Sequence, residues 1–250
     1  MNPILVSVLA LASVAAPAAF QERKVTVGDR ERAFRVYAPA DLKPDEKLPI
    51  VLFLHGAGET GRDGIEPTRT GFGPALQARA DSARLVAVFP QVERREYWIN
   101  DAAKYAMAAL ESAEKEFHTD PNRVYLTGLS MGGYGTWTIA CENPGKFAAI
   151  APVCGGVRAP WDRKPPEGDP YKATAEKVKG LPIWIFHGGF DRTVPVSESQ
   201  KMNEALKAAG ATNVKYTEYE GVGHNSWDRA YGEDDFWKWL LAQSLDKKSG

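Results

Sequence analysis

The chain has 250 residues, 44% of them hydrophobic and 25% charged, with a formal net charge of −1. That length and balance support a full buried core and exclude a chain that is disordered throughout. The near-neutral charge excludes a nucleic-acid binder built on a basic face, since no cluster of Lys and Arg stands out and the pairs Arg94-Arg95 and Lys247-Lys248 read as solvated surface.

Residues 4–20 carry no charge, are dominated by Ala, Val and Leu, and include Ala16-Pro17-Ala18, which places small residues before a cut after Ala18. This predicts a secretory signal peptide over 1–18 and a single domain over 19–250, secreted or periplasmic. An uncleaved N-terminal anchor is the alternative. No later stretch approaches the roughly 20 apolar residues of a spanning helix, so the mature form is expected to have no membrane segment.

Strand-like segments at 23–27 and 32–37 read as an antiparallel pair around Gly28-Asp29. Strand signals then recur at 49–55, 85–89, 123–127, 147–153, 182–187 and 214–219. Between and after them, helical spacing appears at 101–117, 134–141, 197–209 and 234–245. In the first of these helices Ala103, Met107, Leu110, Ala113 and Phe117 share the face toward the sheet; in the last, Phe236, Trp237, Leu240 and Leu241 do so. The alternation predicts an α/β fold with about eight strands, mostly parallel, flanked by helices. The connection 155–180 is short and holds Pro160, Pro165, Pro166 and Pro170, too broken for a substantial lid. Cys141 falls at the far end of a helix of about ten residues, roughly 15 Å long, from the strand end that carries Cys154, so two free, buried thiols are expected.

Gly128-Leu129-Ser130-Met131-Gly132 lies between a strand-like and a helix-like run, the setting of a nucleophile elbow. Glycines two before and two after the serine leave room for strand and helix backbones to approach, and Ser130 itself is expected to be strained. Functional groups in such a sheet gather at the C-terminal strand ends. Of the four histidines, His118 ends a helix, and His55 and His187 each precede a glycine at a strand end, where a bracing role is more common. His224 stands in Gly221-Val222-Gly223-His224-Asn225-Ser226-Trp227, after the last strand and outside any apolar period, and is the candidate general base. Asp191, four residues past His187, is the candidate for the carboxylate that orients it, with Asp162 and Asp228 as competitors. The order Ser, Asp, His is that of a hydrolase built on an elbow. Donors for an oxyanion are expected from the N–H of Met131 and, in Leu54-His55-Gly56-Ala57-Gly58-Glu59, from Ala57 in preference to Gly58. The loops 59–74 and 90–99 would wall the cleft, with Trp98 and Trp227 as candidate substrate-binding residues. Trp137, Trp184, Trp237 and Trp239 read as core.

Together, Leu54-His55-Gly56-Ala57-Gly58-Glu59, the elbow through Gly135, His187-Gly188-Gly189-Phe190-Asp191 with Val194-Pro195, and Gly223-His224-Asn225-Ser226-Trp227 resemble the exported α/β-hydrolases related to feruloyl esterases and polyhydroxybutyrate depolymerases. Such sequences are also labelled prolyl-oligopeptidase-like peptidases. The resemblance spans about 48–241 and implies an α/β-hydrolase fold with Ser130 as nucleophile, His224 as base, Asp191 as acid, Ala57 and Met131 as oxyanion donors, and no cofactor or metal. It implies serine hydrolysis of small-molecule or polymer-attached esters, with hydroxycinnamoyl (feruloyl) or acetyl esters of plant polysaccharide leading and peptide or polyester cleavage as alternatives. A metal hydrolase using His55, His187 and His224 conflicts with the resembled strand order, which sets His55 and His187 about three strand spacings, roughly 14 Å, apart. A non-catalytic binding module is the other rival, disfavoured because every part of the triad is present.

Overall fold

In the computed structural model, which describes residues 19–248 apart from 44, 81, 160 and 162–166, eight strands form one sheet in the order β1-β2-β4-β3-β5-β6-β7-β8. They are β1 Ala19–Val27, β2 Arg30–Ala38, β3 Ile50–Leu54, β4 Val86–Pro90, β5 Val124–Leu129, β6 Ala149–Val153, β7 Ile183–Gly188 and β8 Val214–Tyr219. β1 pairs antiparallel with β2 from Ala19↔Ala38 to Val27↔Arg30, and β2 runs antiparallel to β4; the remaining pairings are parallel. The predicted leader, 1–18, and the rival acid Asp162 lie outside the described residues.

A strand's side chains alternate between faces, and here both faces are covered, so the central strands read as unbroken apolar runs. Ile50, Leu52 and Leu54 enter one core with Val86 and Val88, while Val51 and Phe53 enter the other with Ala87 and Phe89. The first core is closed by α2 Asn100–Phe117, α3 Met131–Glu142, α4 Pro170–Val178 and α5 Ser197–Ala208. α1 Phe72–Gln77, α6 Trp227–Gly232 and α7 Asp234–Leu241 close the second. In α2, Ala103, Leu110 and Ala113 are buried as predicted, with Met107 and Phe117 packed at the margin. Phe236, Trp237 and Leu240 of α7 are buried, with Leu241 packed against them.

The sequence reading passed over α1, α4 and α6 and carried the last helix four residues too far. α1 and α6 have only six residues each, too few to show a period. α4 does carry a start signal: Asp169 Oδ1 accepts from the N–H of Tyr171 at 2.9 Å and Lys172 at 3.3 Å, and Pro170 occupies the first turn, where it needs no donor. Read as a breaker, that proline hid a cap. Cys154 is buried and Cys141 only partly so; both are free. Among the described residues, no helix is long and apolar enough to cross a membrane.

Candidate active site

β5 and α3 meet at Ser130, whose φ of 52° puts a non-glycine residue in the left-handed region. Such a conformation costs about 1 to 3 kcal/mol and persists only where surroundings over-determine it. They do so here: the Ser130 N–H donates to Val153 O at 2.9 Å, and Ser130 O accepts from Tyr134 N–H at 3.1 Å. A Cβ at Gly132 would collide with the carbonyls of Leu54 and His55, so α3 can cross the end of β3 only with glycine there.

His224 Nε2 lies 2.9 Å from Ser130 Oγ, and its Nδ1 lies 2.7 Å from Asp191 Oδ2. With Nδ1–H donating to the carboxylate, Nε2 is left to accept the serine proton. Asp191 follows β7 on a tight loop in which its Oδ1 accepts from the N–H of Thr193 at 2.8 Å and Val194 at 2.9 Å. Burial pushes this carboxyl up, but hydrogen bonds from His187, His224 and the Val194 and Thr193 amides outweigh it and hold the group well below the usual carboxylate range. Asp191 is therefore ionised, and its side chain is buried, whereas the His224 side chain is 22% exposed. The competitor Asp228 instead accepts from Asn225 Nδ2 at 2.7 Å.

The other histidines have different surroundings. His55, buried at the end of β3, accepts at Nε2 from the Val92 N–H at 3.1 Å and faces Gly56 O with Nδ1 at 2.6 Å. Burial pushes its pKa down to about 4. His187, at the end of β7, contacts Ser199 Oγ at 2.7 Å and Val194 O at 3.0 Å. β5 and β6 separate β3 from β7, so these two rings occupy separate pockets. His118 is exposed and ends α2 with a φ of 47°. A different set, Cys154 Sγ with ligand atoms of Asp191 and His224, falls within 4.8 Å mutually. Burial raises the Cys154 thiol to about 12 and the other two members are already bonded to each other, so a cation there would have to displace both the thiol proton and the Asp191–His224 bond.

A 3-10 turn, Ala57–Glu59, follows β3, and Met131 opens α3, where first-turn amides have no partner within the helix. Ala57 and Met131 line one cleft of about 490 Å³, together with Thr60, Arg94, Arg95, Glu96 and Tyr97. Trp98, expected in that cleft, is not there. It has no exposed surface, its Nε1 donates to His55 O at 2.9 Å, and its ring meets His55 edge-on at 5.0 Å between centroids. It is a core residue packed behind His55 and the loop that follows β3. Its neighbour Tyr97 lines the cleft and stacks on Trp161, 4.2 Å between centroids and 9° between planes. Sequence reasoning missed both; the chain bends at Trp98, where the Ile99 N–H donates to Tyr97 O at 2.7 Å, and it buries the Trp98 ring while Tyr97 lines the cleft. Trp227 lies edge-on to the His224 ring at 5.4 Å and is partly buried.

A model of the Esterase family matches residues 26–247 of the chain. A bifunctional acetylxylan esterase/xylanase of Neocallimastix patriciarum is 31% identical over 128 residues, which cover 50% of this chain and 18% of that protein. The S-formylglutathione hydrolase of Bos taurus is 43% identical over 156 residues, covering 52% of this chain and 55% of that one. Among solved structures, a thermostable esterase superposes with a TM-score of 0.78 at 32% identity, covering 90% of this chain and 63% of that one. The chain thus spans less than two thirds of each of these relatives.

Proposed function

The chain belongs to the Esterase family, and on that premise we propose that it is a serine hydrolase of carboxylic esters working through an acyl-enzyme. The observation that carries this reading is the continuous relay from Asp191 Oδ2 to His224 Nδ1 at 2.7 Å and from His224 Nε2 to Ser130 Oγ at 2.9 Å. Ser130 Oγ attacks the ester carbonyl as His224 Nε2 takes its proton, and ionised Asp191 stabilises the imidazolium that forms. The N–H groups of Met131 and Ala57 donate to the developing oxyanion, each worth about 3 kcal/mol of barrier. His224 then protonates the leaving alcohol. Water, activated by the same imidazole, releases the acid.

The leading substrates are acetyl or hydroxycinnamoyl esters attached to polysaccharide. A relative named as an acetylxylan esterase and an open cleft walled by Tyr97 support this choice. Trp227 is proposed to shape the rim beside His224, consistent with its edge contact to that ring. The charge-free stretch at 4–20 supports export behind a leader cut after Ala18, with 19–250 as the catalytic domain. Purified protein tested against aryl acetate, feruloyl and acetylated xylan substrates beside a peptide anilide decides the class. Ester turnover abolished by Ser130→Ala, with the circular dichroism spectrum retained, is expected; undiminished turnover in that variant sinks the assignment.

A further inference from the structure

Ten described arginines, Arg23, Arg30, Arg32, Arg35, Arg62, Arg69, Arg79, Arg84, Arg123 and Arg229, each face a carboxylate within an ion pair. Arg94, Arg95, Arg158 and Arg192 have none among the described residues, and all four sit on loops that leave β4, β6 or β7 at the end where Ser130 lies. Two of them, Arg94 and Arg95, line the cleft shared with Ala57 and Met131.

Their segment is built to keep them free. Glu96 N–H donates to Glu93 O at 3.0 Å, closing a turn with Arg94 and Arg95 at its two central positions. The adjacent carboxylates are already engaged: Glu93 by Arg30 and Arg62, Glu96 by Arg30 and Arg32. Glu96 also accepts from the Glu93 N–H at 2.9 Å, which ties the base of the turn. Both central arginines are exposed, and Arg95 has a φ of 70°, a conformation that suits glycine or asparagine and strains an arginine. A turn needing only its backbone would be easier to form with glycine at that position. An arginine held there, with its neighbouring acids neutralised from the opposite side, points to use of the side chain.

Resting on the esterase reading, we propose that Arg94 and Arg95 form an anion subsite that selects esters bearing a carboxylate close to the scissile bond. The planar guanidinium pairs with a carboxylate through two parallel N–H donors, and Tyr97 beside it offers a ring face to the carbon skeleton. Such a substrate carries its carboxylate either on the acyl part or on the alcohol part, as a uronate-bearing saccharide does.

Two matched pairs of small esters separate these sources: p-nitrophenyl hemisuccinate against p-nitrophenyl butyrate, and 4-acetoxybenzoate against 4-methylphenyl acetate. For at least one pair, the ratio of kcat/KM (charged over neutral) is expected to fall about tenfold in Arg94→Gln/Arg95→Gln. It should fall further in Arg94→Glu/Arg95→Glu and be largely held in Arg94→Lys/Arg95→Lys. Raising salt from 0.02 to about 0.5 M should lower kcat/KM for the charged ester more than for its neutral partner, because exposed charges are screened. A loss on the hemisuccinate pair alone places the carboxylate on the acyl side, and a loss on the acetoxybenzoate pair alone places it on the alcohol side. Ratios within twofold of wild type for both pairs in both charge variants overturn the subsite. Failure of the wild-type protein to cleave any of the four esters overturns the esterase reading itself.

Discussion

His55 and His224 stand at the same end of the sheet, and the difference between them separates a brace from a base. His55 has no exposed surface, and its two ring nitrogens meet the main chain at Gly56 and Val92 while Trp98 covers the ring edge. A ring held in this way has one tautomer and no route for a proton. His224 is 22% exposed and bridges an ionised carboxylate to a hydroxyl, so one nitrogen is fixed while the other remains free to accept. The sequence separates the two by place, His55 before a glycine at a strand end and His224 on a glycine-rich loop after the last strand; the groups bonded to the ring nitrogens supply the physical difference.

The largest effect expected from this contrast is in His224→Gln, which should lower kcat/KM by about 10⁴-fold or more while changing stability by less than about 1 kcal/mol. Retention of more than a tenth of wild-type turnover would break the comparison on the catalytic side. On the other side, Trp98→Ala removes the buried ring behind His55 and should destabilise the fold by about 4 kcal/mol in urea titration. A loss under about 1 kcal/mol would show that this region is not core. Next comes pH. Burial lowers the His55 pKa from 6.5 to about 4, so between those values the unfolded chain binds a proton that the folded site refuses. The contribution to stability is complete above pH 6.5 and is lost as pH falls toward 4, by up to about 3 kcal/mol. His55→Asn should flatten this slope; an unchanged slope would assign it to other groups. Trp227→Ala is expected to have the smallest effect, a rise in KM of about threefold with kcat nearly unchanged, read from saturation curves on an aryl acetate.

The strand pattern was legible because both faces of the parallel strands are buried, and their apolar runs stand out between polar loops. Ser130, Asp191 and His224 could be picked out for a similar reason: glycines that permit close backbone approach mark the elbow and the His224 loop in any one-dimensional reading. The cleft was harder to read. Trp98 was singled out as an aromatic ring on a cleft loop that could stack on substrate, and Tyr97 was not considered, but the direction of a loop side chain depends on the backbone angles of its own residue and not on its type. Arg94 and Arg95 read as solvated surface and both are exposed, but no local pattern records that Glu93 and Glu96 beside them are bound by Arg30, Arg32 and Arg62 from remote segments. α4 was obscured by counting Pro170 as a breaker when it is the first residue of a helix capped by Asp169.

By itself, then, the sequence determined the fold class, the strand-end loops that carry Ser130, Asp191 and His224, and the glycines that those loops require, since these follow from periodicity and local sterics. Tertiary structure decided what holds each histidine ring, which aromatic faced the cleft and, among the described residues, which arginines were left without a carboxylate. Each of those outcomes depends on partners supplied by chain segments far away in sequence, and no local pattern records who those partners are.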